Sequence, residues 1–73
     1  MGFNIGDNVI FINNNPTFHS HNILRGKIGI IVDISRERTM GDQSICVNWP
    51  ISGMNHWWTF DTDMRLAKPE ELS

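Results

Sequence analysis

Residues 28–34 read Ile28, Gly29, Ile30, Ile31, Val32, Asp33 and Ile34, and every even position is a β-branched aliphatic. Apolar residues at every second position line one face of a strand, and β-branched side chains favour that pleated surface. The pattern predicts a central strand over 27–34 with its even positions facing the core and Gly29 on the other face. A glycine inside a strand marks a bulge or a close approach by another backbone. This strand is therefore expected to bend sharply, as the strands of a small barrel do.

The other strands follow from shorter signals. Ile5, Gly6, Asp7 and Asn8 form a turn that launches the apolar run 9–12, and Asn13, Asn14, Asn15 and Pro16 stop it, since asparagine favours turns and proline cannot donate to a ladder. The segment 13–25 is expected to be one long loop carrying Phe18, His19 and His21, and the polar stretch 35–43 an exposed hairpin loop. Over 44–49, Ile45, Val47 and Trp49 alternate with Ser44, Cys46 and Asn48, a strand that Pro50 closes. Residues 56–60 form the next strand. Adjacent strand residues point to opposite faces, so the greater apolar weight of Trp58 and Phe60 assigns them to the core and leaves Trp57 partly exposed. Asp61, Thr62, Asp63 and Met64 have the content of a capped helical turn, and 65–67 a short last strand inserting Leu66.

With 73 residues there is room for one domain, 1–73. A chain this short buries a modest share of its surface, and its core must be concentrated in Trp49, Trp57, Trp58, Phe3, Phe11, Phe18 and Phe60. The single cysteine, Cys46, excludes an internal disulfide and fits a reducing compartment, hence a cytoplasmic setting. No basic, apolar leader opens the chain and no run approaches membrane length, so no membrane association is expected. Gly6 stands where a myristoylation signal needs serine or threonine. The order of elements predicts an all-β fold, a small five-stranded barrel with one short helical turn before the last strand. An OB-fold would need a helix between its third and fourth strands, for which the sequence offers no candidate.

Ile5-Gly6-Asp7-Asn8-Val9, then Gly26-Lys27-Ile28-Gly29-Ile30-Ile31-Val32-Asp33-Ile34, then Val47-Asn48-Trp49 and Leu66 after a polar turn, resemble the SH3-like superfamily. That superfamily includes KOW modules and the mind-bomb type SH3-like domains of ubiquitin ligases. The resemblance covers most of the chain and implies an SH3-like barrel that binds RNA, ribosomal protein surfaces, RNA polymerase or peptides. Ribosomal KOW proteins are strongly basic, whereas this chain has a net charge of −2 with its cations scattered as Arg25, Lys27, Arg36, Arg38, Arg65 and Lys68. Proline-peptide SH3 domains use paired tyrosines, and this chain has none. Small size, acidity and eight asparagines, Asn4, Asn8, Asn13, Asn14, Asn15, Asn22, Asn48 and Asn55, resemble small phage-encoded proteins that bind and redirect a host protein.

Few residues are placed for catalysis. Cys46 lies on a strand, with no glycine-rich elbow or helix N-terminus to activate a thiol, so the chain is expected not to be an enzyme and to carry no cofactor. His19 and His21 fall on one side of an extended segment, and Cys46, His56, Asp61 or Asp63 could complete four metal ligands, but the spacing matches no usual zinc pattern, and no metal is expected. Tryptophan is enriched in binding hot spots, and arginines in a charged hairpin make charge-assisted contacts. The expected partner-binding residues are Trp57, Phe18, Arg36, Arg38, His19 and His21, in a non-enzymatic protein-binding module. The alternative is a KOW-type nucleic-acid binder with Arg25, Lys27, Arg36 and Arg38 on phosphates and an exposed aromatic on a base. Self-association through the edge of 9–12 or of Trp57 is a third expectation.

Overall fold

The computed structural model describes residues 2–13, 19–39 and 41–72. Five antiparallel strands form one sheet in the order β4-β3-β2-β1-β5. They are β1 (Asn8–Phe11), β2 (Ile28–Thr39), β3 (Asp42–Asn48), β4 (Trp57–Phe60) and β5 (Met64–Leu66). A helix α1 (His19–Leu24) lies between β1 and β2, and 3₁₀ turns at Asp61–Asp63 and Pro69–Glu71 flank β5.

The expected long loop over 13–25 thus contains a helix. Ile23 and Leu24 are the two apolar residues at its end. Leu24 is fully buried and Ile23 packs against the core, so burial rather than propensity holds this single turn and a half in place. Gly26 then takes a left-handed φ of 77°, which non-glycine residues rarely adopt. The chain doubles back there, with the Gly26 N–H donating to the Phe11 carbonyl at 3.0 Å and the Phe11 N–H to Lys27 at 3.1 Å.

β2 departs from the expected pattern in length and in face. It runs on through the polar residues to Thr39, so most of the expected hairpin loop is a two-stranded arm in which Arg38 pairs with Gln43 and Thr39 with Asp42. Its even positions do not share one face. Ile31 is buried and pairs with Val47, whereas Ile30 is 46% exposed. The register slips by one residue between Ile31 and Asp33, which pair with the consecutive residues Val47 and Cys46. An extra residue in one strand reverses the alternation beyond it, and Ile34, opposite Ile45, accordingly packs on the core. Gly29 is buried on the core side. The close approach is present, on the opposite face from the one expected, and the bulge falls further along, between Ile31 and Asp33.

The core comprises Val9, Phe11, Leu24, Ile31, Ile45, Val47, Trp49, Met54 and Met64. Ile45, Val47 and Trp49 face inward as the alternation predicts, and Trp49 meets Phe11 edge-on, with ring centroids 5.8 Å apart and planes at 80°. β4 is inverted relative to expectation. Thr59 is its buried residue, while Trp58 is 51% and Phe60 40% exposed. Pairing is the reason, because Thr59 lies opposite the fully buried Ile45 and its hydroxyl donates to the Ile45 carbonyl at 3.2 Å. Leu66 likewise stays half-exposed, at the rim of the edge strand β5, and Met64 fills the core position instead.

The sheet is strongly curled but not closed. A flat sheet of five strands would hold its edges roughly 19 Å apart, yet the four residue steps from Phe60 to Met64 can span at most about 14 Å. The Thr59 hydroxyl indeed lies 3.5 Å from the Met64 sulfur. No ladder joins β4 to β5 among the described residues. Buried Asp63 secures the crossing: its carbonyl accepts from the N–H groups of Ile12 and Asn13 at 2.8 and 3.2 Å, and its carboxylate from the Asn13 side-chain amide.

Candidate functional site

Inward Thr59 places the heavier side chains of β4 on the surface. Trp57 is 38% exposed, so the three aromatics Trp57, Trp58 and Phe60 present apolar surface along four residues of an edge strand. Trp58 and Phe60 share the outer face, where their partners on β3 are Cys46 and Ser44. Trp57 shares the inner face with Thr59, opposite Val47, and is exposed because it lies at the start of the strand.

Cys46 is buried between its two cross-strand neighbours, Trp58 on β4 and Asp33 on β2. Burial first, and the Asp33 carboxylate second, push the thiol pKa up from its ordinary value. A thiol held protonated is a poor nucleophile.

The expected binding residues are distributed as follows. Trp57 is on the aromatic strand. Arg36 is exposed on the β2 arm, beside a local turn in which the Glu37 N–H donates to the Ser35 hydroxyl at 3.2 Å. Arg38 falls on the same arm and His19 and His21 on α1, but their side chains lie outside what is described, and Phe18 lies outside the described residues altogether. Arg36 on β2 and Trp57 on β4 are separated in the sheet by β3. Trp58 and Phe60 are the surface residues that the sequence reading missed. The inward alternation of Ile45, Val47 and Trp49 would have exposed them only with the register of β4 known, and the connection over 49–56 leaves that register open.

At the other edge of the sheet, Gly2, Phe3, Met64, Arg65 and Leu66 line an open groove of about 280 Å³. The Arg65 guanidinium is engaged by the chain's own tail, donating to both Glu71 carboxylate oxygens at 2.8 Å. These hydrogen bonds, with a third from the Lys68 N–H at 2.8 Å, hold the Glu71 carboxyl down at about 2. Among the described residues, no three histidine, cysteine or carboxylate side chains gather as a metal site. No helix among them is long and apolar enough to cross a membrane.

Together these features define a small, mostly-β protein of five antiparallel strands whose most apolar exposed strand is an edge. Compared with protein-family models, curated proteins and solved structures, the chain matches none.

Proposed function

We propose that this chain is a non-enzymatic protein-binding module built on an SH3-like barrel, with the aromatic strand β4 as its docking face. The observation that carries the reading is the joint exposure of Trp57, Trp58 and Phe60 on one short edge strand. Trp58 and Phe60 lie side by side on the outer face, apolar surface of the kind that marks an interaction site on a small protein, and tryptophan is enriched where binding energy concentrates. The barrel part of the proposal is supported by the strand order, the strong curl and the 3₁₀ turn before β5. Cys46, buried and held protonated, supports a role without thiol chemistry and a reducing cytoplasmic setting. The acidic, asparagine-rich composition supports the particular form in which a small phage-type protein modulates a host protein.

The test is affinity capture from cell lysate with tagged wild type beside Trp57→Ala and Trp58→Ala, half of the samples treated with nuclease. A protein that is retained after nuclease and lost with either variant is expected. Loss of all bound material on nuclease treatment would replace this reading with a KOW-type nucleic-acid one. Capture indifferent to both tryptophans would move the docking face elsewhere.

A further inference from the structure

The sheet has two edges, and only one of them is protected. β5 is only three residues long and carries a charge, Arg65. Arg65 on β5 donates to the Leu66 carbonyl at 3.2 Å while gripping Glu71 of the following 3₁₀ turn, which anchors the tail beside the strand. β4 has none of this. Trp57, Trp58, Thr59 and Phe60 include no charge and no proline, their pairing with β3 runs without a bulge, and no other strand pairs with them among the described residues. Natural sheet edges are normally blunted by charge, proline, bulges or a covering segment, because a row of unpaired N–H and C=O groups templates another extended chain.

We infer that β4 pairs antiparallel with β4 of a second copy of this chain, about a two-fold axis, to form a weak dimer. The short, charge-bearing β5 edge disfavours a head-to-tail β4–β5 contact, which would propagate into rings or fibres. The arrangement that remains is isologous and closes at two copies. The strand is self-complementary in that arrangement. With the axis at Thr59, Trp58 of each copy faces Phe60 of the other on the outer surface, two aromatic cross-strand pairs of the kind that stabilise antiparallel ladders. The same register sets Trp57 of each copy opposite Asp61 of the other, and no like charges meet across the axis. The area sets the strength. Trp58 and Phe60, exposed by 51% and 40%, offer roughly 200 Å² per copy, well under the ~800 Å² per partner of a stable interface. The dimer is accordingly expected to be much weaker than one with a standard interface.

Sedimentation velocity on the whole chain, from about 10 µM to about 1 mM, tests this beside Trp58→Lys and Phe60→Lys. Both substitutions are at exposed positions, and far-UV circular dichroism checks that each variant is folded. Wild type should pass from 8.4 kDa towards twice that mass, and the folded variants should remain at the single-chain mass throughout. Wild type that stays monomeric at the top concentration, that grows beyond two copies, or that dimerises no better than either lysine variant would overturn the inference. The wild-type result decides even if one variant fails to fold. The outcome is separable from the proposed docking role: a monomeric chain that still captures a partner through Trp57 or Trp58 leaves that role intact, and a dimer that captures nothing leaves only the pairing.

Discussion

Gly29 lies directly beneath Trp49. A Cβ at position 29 would meet the indole Cε3 at 2.7 Å, Val47 Cγ1 at 2.6 Å and the Asn48 carbonyl oxygen at 2.9 Å. Two of these neighbours are core side chains locked by burial and the third is backbone, so none can move aside cheaply. The largest buried side chain of the protein is thus seated on the one central-strand residue that has no side chain.

Gly29→Ala should therefore destabilise by about 1–3 kcal/mol, the usual cost of forcing extra volume into a packed core. Chemical denaturation read by tryptophan fluorescence measures it. An unchanged midpoint would mean that Trp49 is not held against β2.

The inverted face of β4 predicts an unusual asymmetry between neighbours. Thr59→Val keeps the shape but removes the hydroxyl that donates to the Ile45 carbonyl, and should cost about 1 kcal/mol. Trp58→Phe trims a half-exposed side chain while keeping an aromatic over Cys46, and should change stability by less than about 0.5 kcal/mol. If Trp58→Phe proved the more damaging in urea unfolding, the register of β4 against β3 would be refuted.

The ion pair of Arg65 and Glu71 predicts a pH dependence with a definite sign. Glu71 is held at about 2 against an ordinary 4.5, so the folded chain binds fewer protons there than the unfolded chain. That contribution is fully present above pH 4.5, and is lost as pH falls towards 2. Both side chains are partly exposed, so salt should weaken the effect. Thermal unfolding across this range should show a shallower decline in Glu71→Gln than in wild type, and identical profiles would remove the pair from the stability of the tail.

Cys46 should be slow to react with a thiol reagent in the native state and fast once unfolded, because burial and Asp33 both disfavour the thiolate. Labelling at increasing urea should follow the global unfolding curve. Rapid labelling of the native chain would show that Trp58 and β2 do not cover the thiol.

Much of the fold was legible because some signals in this chain are local. The run over 28–34 predicts its own strand, and the alternation of Ile45, Val47 and Trp49 predicts which face of β3 is buried. The 3₁₀ turn before β5 follows from Asp61, Thr62 and Asp63. Candidate surface residues were less legible. Apolar weight alone would bury Trp58 and Phe60, but a strand has two faces with a fixed alternation, and Thr59 can be buried at little cost once its hydroxyl has an acceptor. Helix α1 escaped because six residues give too short a period to read.

What the sequence by itself determined is the set of strands, their order along the chain and the aromatic and aliphatic residues available to a core, since propensity and alternation act over a few residues at a time. Tertiary structure alone decided which residues of β2 and β4 turn inward. The one-residue slip between Ile31 and Asp33 carries Ile34 rather than Ile30 to the core, and the pairing of Thr59 with Ile45 sends Trp58 and Phe60 to the surface. A shift of one residue in register exchanges the two faces of a strand, and register is set by contacts between segments far apart in the chain.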